Sequence, residues 1–197
     1  MSVRTALRHK RLVAAASVPV AVIASGALVW QSSYSAFSAT TSNPTNNWTA
    51  GTVALSDDDS STAMFTASNL KPGSTGTKCI AVTSTGSLAS TVKLYGTSYT
   101  TTNGLATNLN LSVEEGTGGT FGSCAGFTGG VSVFNGTLAS FGTAKTSFAT
   151  GVGTWAPTGT GSETKSYRLI YTLSSSTPDT AQGGTAAMGF TWESQNS

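Results

Sequence analysis

From Thr52 onward the apolar residues recur at every second position in short runs, and Gly, Pro, Asn and Asp separate the runs. Period two sends successive side chains to opposite faces, so each run reads as a strand with one buried side. The runs are TVALS (52–56), TAMFTA (62–67), KCIAVTS (78–84), STVKLYG (90–96), NLNLSVEE (108–115), SYRLIYTLS (166–174) and TAAMGFTWES (185–194). Within them Val92 and Leu94 share one face and Lys93 and Tyr95 the other; Leu109, Leu111 and Val113 are inward, and Asn110, Ser112 and Glu114 are wet. Tyr167, Leu169, Tyr171 and Leu173 form a third apolar face, and Met188, Phe190 and Trp192 a fourth. Many short strands with turns at regular spacing predict an all-β fold, a two-sheet antiparallel β-sandwich of jelly-roll or Ig-like type.

Turn chemistry sharpens the reading. Lys71-Pro72-Gly73-Ser74 has Pro and Gly where a type II turn wants them. Asn135-Gly136, between the apolar runs of VSVFNGTLASF (131–141), predicts a hairpin turn. The Gly- and Thr-rich stretch 142–164 reads mostly as loop, and no helix is expected after the leader. No period of 20 to 50 residues recurs, which argues against propellers and solenoids.

The leader sets the compartment. Arg4, Arg8, Lys10 and Arg11 precede an apolar stretch from Val13 to Trp30, the layout of an export signal forming a short helix. Ser33 and Ser35 place small residues where a signal peptidase cuts, leaving Ala36 as the new first residue. An uncleaved anchor is the competing reading, since about 18 apolar residues can just span a bilayer. The expected organisation is therefore a signal peptide (1–35), a flexible arm and candidate donor strand (36–47), and a β-sandwich domain (48–197).

The mature form is expected to be secreted and not membrane-spanning. The formal charge is +2 for the 197 residues, but four of the ten basic residues lie in the leader, leaving six against eight acidic ones. No basic patch for nucleic acid survives. Charged residues make up 9% of the chain, against roughly 25% in ordinary domains. A surface hydrated by hydroxyls repels its neighbours weakly, which favours association.

The candidate chemistry is sparse. Cys79 and Cys124 are the two cysteines, and in an exported chain they most simply form one disulfide. Gly122-Ser123-Cys124-Ala125-Gly126 resembles a nucleophile elbow, but no activating base accompanies it. The one histidine is His9, inside the leader, so the mature chain has no imidazole for a catalytic triad or a His-Glu-x-x-His zinc site. Asp57, Asp58 and Asp59 are weak calcium candidates, since three consecutive acids lack the alternating spacing of a calcium loop. Glu115 and Glu193 can be drawn as a glycosidase pair. The plainer reading makes Glu115 the strand end beside Glu114, and Glu193 the outward neighbour of Trp192. No catalytic residue and no cofactor is expected.

Five segments, in this order and spacing, resemble the TasA and camelysin family of bacterial secreted proteins: SAFSA after the leader, WTAGTVALS, SNLKPGS, STGSLAS and a C-terminal QGGTAAMGFTWESQ. The turn Asn69, Leu70, Lys71, Pro72, Gly73 and the GSLA stretch carry most of the likeness; residues 97–164 match poorly. The resemblance implies a jelly-roll sandwich released by a dedicated signal peptidase, and a role as a subunit of extracellular matrix fibres. It also implies that the new N-terminus adds as a strand to a neighbour's sheet. In this chain that end is Ala36, Phe37, Ser38, Ala39, Thr40 and Thr41, running on to Asn47, with Phe37 as the candidate anchor. Such head-to-tail contact does not close and propagates as a filament, making a homo-oligomer the expected partner. The alternatives are a surface adhesion module presenting loops 116–130 and 151–164, or a camelysin-like metalloprotease, which the missing imidazole disfavours.

Overall fold

A computed structural model of the protein describes residues 50–196. The leader, its cleavage site at Ser35 and Ala36, and the arm 36–47 lie outside the described residues. Seven strands follow in order: β1 (Leu55–Asp57), β2 (Thr75–Ser84), β3 (Ser90–Thr101), β4 (Leu109–Thr117), β5 (Thr128–Thr137), β6 (Glu163–Leu173) and β7 (Ala186–Asn196). Two short helices, α1 (Leu105–Asn108) and α2 (Leu138–Ala144), interrupt them. The strands form two antiparallel sheets, one of five in the order β1-β2-β6-β4-β5 and one of two, β3-β7. This is the expected all-β sandwich.

Alternation builds the core between the sheets. Ile80 and Val82 of β2, Leu111 and Val113 of β4, and Tyr167 and Leu169 of β6 point inward and meet Val92 and Leu94 of β3. Each such side chain contributes about 1.5–3 kcal/mol by leaving water. Phe190 and Trp192 of β7 pack on this cluster while staying half-buried, and the Trp192 ring lies 5.3 Å from that of Tyr167. The turn at 71–74 forms as read: Gly73 has φ 85, and the Ser74 amide donates to the Lys71 carbonyl at 2.8 Å.

Four expectations are corrected. Asn135-Gly136 makes no hairpin turn; neither residue has the positive φ that a two-residue turn requires, and β5 runs straight through both to Thr137. Gly136 serves close packing instead, since a Cβ there would stand 3.0 Å from the Phe134 ring and from Ser140 Oγ. TAMFTA is not a strand, because no neighbouring strand offers it a ladder; Met64 and Phe65 reach the core from irregular backbone, Phe65 edge-on to Tyr171 at 5.2 Å. The strand in TVALS shrinks to Leu55–Asp57, although the Thr85 and Ser87 amides still donate to the Ala54 and Thr52 carbonyls. Finally, helices do occur: in α2 Leu138, Phe141 and Gly142 make a buried stripe at helical spacing, and the Thr137 hydroxyl caps the Ser140 amide at 3.1 Å. None of the helices among the described residues is long and apolar enough to cross a membrane.

Candidate strand-acceptor groove

Edges decide what a sandwich can bind, because an unpaired strand presents a row of free N–H and C=O groups. The outer edge of β3 is covered: the amides of Ser90, Val92 and Leu94 donate to the carbonyls of Pro157, Trp155 and Val152 at 3.0, 2.9 and 2.8 Å. These bonds show that even positions of β3 face the 152–157 segment, so odd positions face β7. By register Thr97, Tyr95 and Lys93 pair with Gly189, Thr191 and Glu193. The backbone groups of Met188, Phe190 and Trp192 therefore point to the far side of β7, where no strand pairs among the described residues.

Beside that free edge lies the edge of the other sheet. β1 is only three residues long. It stops because the chain turns through Asp57-Asp58-Asp59, where the Asp59 carboxylate accepts the Ser61 amide at 2.6 Å and Ser60 and Ser61 take positive φ. A groove of about 190 Å³ opens between the two edges, lined by Leu55, Ser56, Asp57, Val82, Phe190, Thr191 and Trp192. Trp192, which lines it, buries an indole N–H, and Tyr167, its ring 5.3 Å from that of Trp192, buries a hydroxyl; neither meets an acceptor among the described residues. Burial pushes the Tyr167 hydroxyl pKa far up, with the Glu115 carboxylate adding to the effect.

The acidic turn divides its labour. Asp58 uses both carboxylate oxygens as staples, accepting the Ala81 amide at 2.9 Å and the Phe121 amide at 2.8 Å. Among the described residues Asp57 accepts a single long backbone bond, from the Asp59 amide at 3.4 Å. Partial burial raises the Asp57 pKa, helped by the neighbouring Asp59 carboxyl. These positions make a structural turn beside the groove.

The remaining sequence-predicted residues have structural surroundings. Cys79 and Cys124 are joined in a disulfide, Cα to Cα 5.1 Å, which ties the β4–β5 loop to β2; the Gly122 amide adds a bond to the Cys79 carbonyl at 2.9 Å. Asn69 takes a positive φ of 54 just before the Pro72-Gly73 turn. Glu115 and Glu193 do not share a cleft. Glu193 accepts from the Tyr95 hydroxyl at 2.8 Å and from Gln195, and bonds from Gln195 and Tyr95 hold its pKa below the usual range. Glu115 is not a solvated strand end. It is 4% exposed, carried inward by the same alternation as Leu111 and Val113, and it accepts both the amide and the hydroxyl of Thr154. Its role was missed because the partner is 39 positions away.

Residues 9–113 match the family model described as camelysin metallo-endopeptidase. No curated protein matches the chain. The metal implied by that description finds no fitting donor set among the described residues. They include no histidine, no three His, Cys, Asp or Glu side chains come together to hold an ion, and Asp58 is committed to backbone amides.

Proposed function

The chain belongs to the camelysin metallo-endopeptidase family, and from that premise we propose that it is a secreted structural protein and not a peptidase. In this reading it is the subunit of an extracellular fibre. The arm 36–47 of one copy adds as a strand along the free edge of β7 in the next. One observation carries the reading: among the described residues a two-stranded sheet leaves the β7 edge unpaired, directly beside a groove lined by Val82, Phe190 and Trp192.

Lengths and direction support it. The arm, extended at about 3.3 Å per residue, reaches about 40 Å, and the eleven residues of β7 span about 36 Å. The described chain starts at the end of the sandwich where β7 finishes, since Thr52 bonds Ser87 while Ser194 bonds Ser90.

The test compares the secreted chain with a version lacking residues 36–47, by electron microscopy and light scattering. Filaments from the first and monomers from the second are expected. Monomers from both would sink the proposal, and chelator-sensitive casein cleavage by the pure protein would restore the peptidase.

A further inference from the structure

We propose that the groove between β1 and β7 is a socket for the two residues at a newly cut N-terminus, the α-ammonium of Ala36 and the ring of Phe37 from a second copy of this chain. This rests on the strand-addition reading and deepens it, because it says why cleavage would license assembly.

The groove has two chemistries side by side. Leu55, Val82, Phe190 and Trp192 give it an apolar wall, and Asp57 is the acidic residue of its lining. An occupant that matches must carry an apolar group next to a cation. Between residues 36 and 47 there is no Lys, Arg or His, and Phe37 is the one aromatic residue. The only cation the arm can offer is the amine created at Ala36 by the cut, directly adjacent in sequence to Phe37.

Asp57 is suited to receive it. Its neighbour Asp58 is occupied on both oxygens by the Ala81 and Phe121 amides, whereas among the described residues Asp57 meets Asp59 alone, through a long bond from its amide and through its carboxyl. Three consecutive acids crowd negative charge at this corner, and a cation relieves that repulsion. Capture of an N-terminal amine at a strand-accepting edge combines two established modes of peptide recognition. The residues after Phe37 then run along the free edge of β7 with the oxygen-bearing side chains of Ser38, Thr40 and Thr41. An uncut leader offers neither the amine nor the room for the ring to enter.

The probes are synthetic peptides of residues 36–47, added to the secreted chain held below its assembly concentration. Binding is read by Trp fluorescence and by calorimetry. The free-amine peptide is expected to bind. N-acetylation should weaken it by about fivefold, the scale of a partly exposed ion pair, and the loss should shrink with salt. Phe37→Ala in the peptide should weaken it by about 10- to 100-fold, the scale of one buried aromatic ring. Asp57→Asn in the acceptor should abolish the difference between free and acetylated peptides while leaving the Phe37 effect. Equal binding by free and acetylated peptides, or by the parent peptide and its Phe37→Ala variant, overturns the socket. So does a failure of the free-amine peptide to bind. If the peptides behave as expected but the secreted chain forms no filaments, the fibre reading fails and the socket stands. Filaments that survive Phe37→Ala in the full chain sink the socket and leave the fibre reading intact.

Discussion

Glu115 holds Thr154 through both carboxylate oxygens: the Thr154 amide lies 3.0 and 3.1 Å from them, and its hydroxyl 2.6 Å from the second. A buried carboxylate on β4 thereby pins the segment that covers the outer edge of β3. Hydrogen bonds to a charged group contribute about 1.5–3 kcal/mol. Glu115→Gln should therefore lower the unfolding free energy by about 2 kcal/mol in urea titration. Thr154→Ala, which keeps the amide bond, should lose about 1 kcal/mol. A Glu115→Gln variant as stable as the parent would refute this account of the clasp.

The disulfide closes a loop with a sequence separation of 45. On the chain-entropy estimate it contributes about 4 kcal/mol. The doubly substituted Cys79→Ala, Cys124→Ala protein should show that loss in denaturant. Its β4–β5 loop should exchange amide hydrogens faster, because Gly122 is then held to residue 79 by backbone alone.

Tyr167 and Trp192 each bury a donor that meets no acceptor among the described residues. An unsatisfied buried polar group costs about 1–3 kcal/mol, so Tyr167→Phe should leave stability unchanged or raise it by about 1 kcal/mol. A drop of that size on thermal or urea unfolding would mean that the hydroxyl has a partner in solution.

Glu163 accepts the Thr158 amide at 2.6 Å, the Thr158 hydroxyl at 2.8 Å and the Gly159 amide at 3.2 Å. The Thr158 hydroxyl bond, with the two amide bonds, holds its carboxyl below the usual glutamate range. A folded-state value below the unfolded one means that the stabilisation is fully present above the unfolded value. It is lost as pH falls through the lower, folded value. The Thr158 and Gly159 amide resonances should titrate together with a midpoint below the value of an unperturbed glutamate, and Glu163→Gln should remove that titration. A midpoint at or above that value would contradict the hydrogen-bonded turn.

Legibility in the sequence differed by residue. The inward faces of Val92 and Leu94, and of Tyr167, Leu169 and Leu173, follow from alternation alone and are buried as read. The same parity points Glu115 inward, but a carboxylate is rarely buried without a partner, and Thr154 is distant in sequence. Asn135-Gly136 carries strong local turn chemistry, yet pairing with β4 across Leu111 and Ser112 keeps it extended. Met64 and Phe65 show the converse, an alternating run with no strand beside it.

The sequence by itself determined the strand faces, the turn at Lys71–Ser74, the available cysteine pair and the absence of imidazole after His9. All are properties of neighbouring residues or of composition. Tertiary structure alone decided which strands share a sheet, that among the described residues β3 is covered at its edge while β7 is not, and that Asp57 stands beside Phe190 and Trp192. Those relations depend on which distant backbone groups find partners when the sheets close, and no local pattern encodes that.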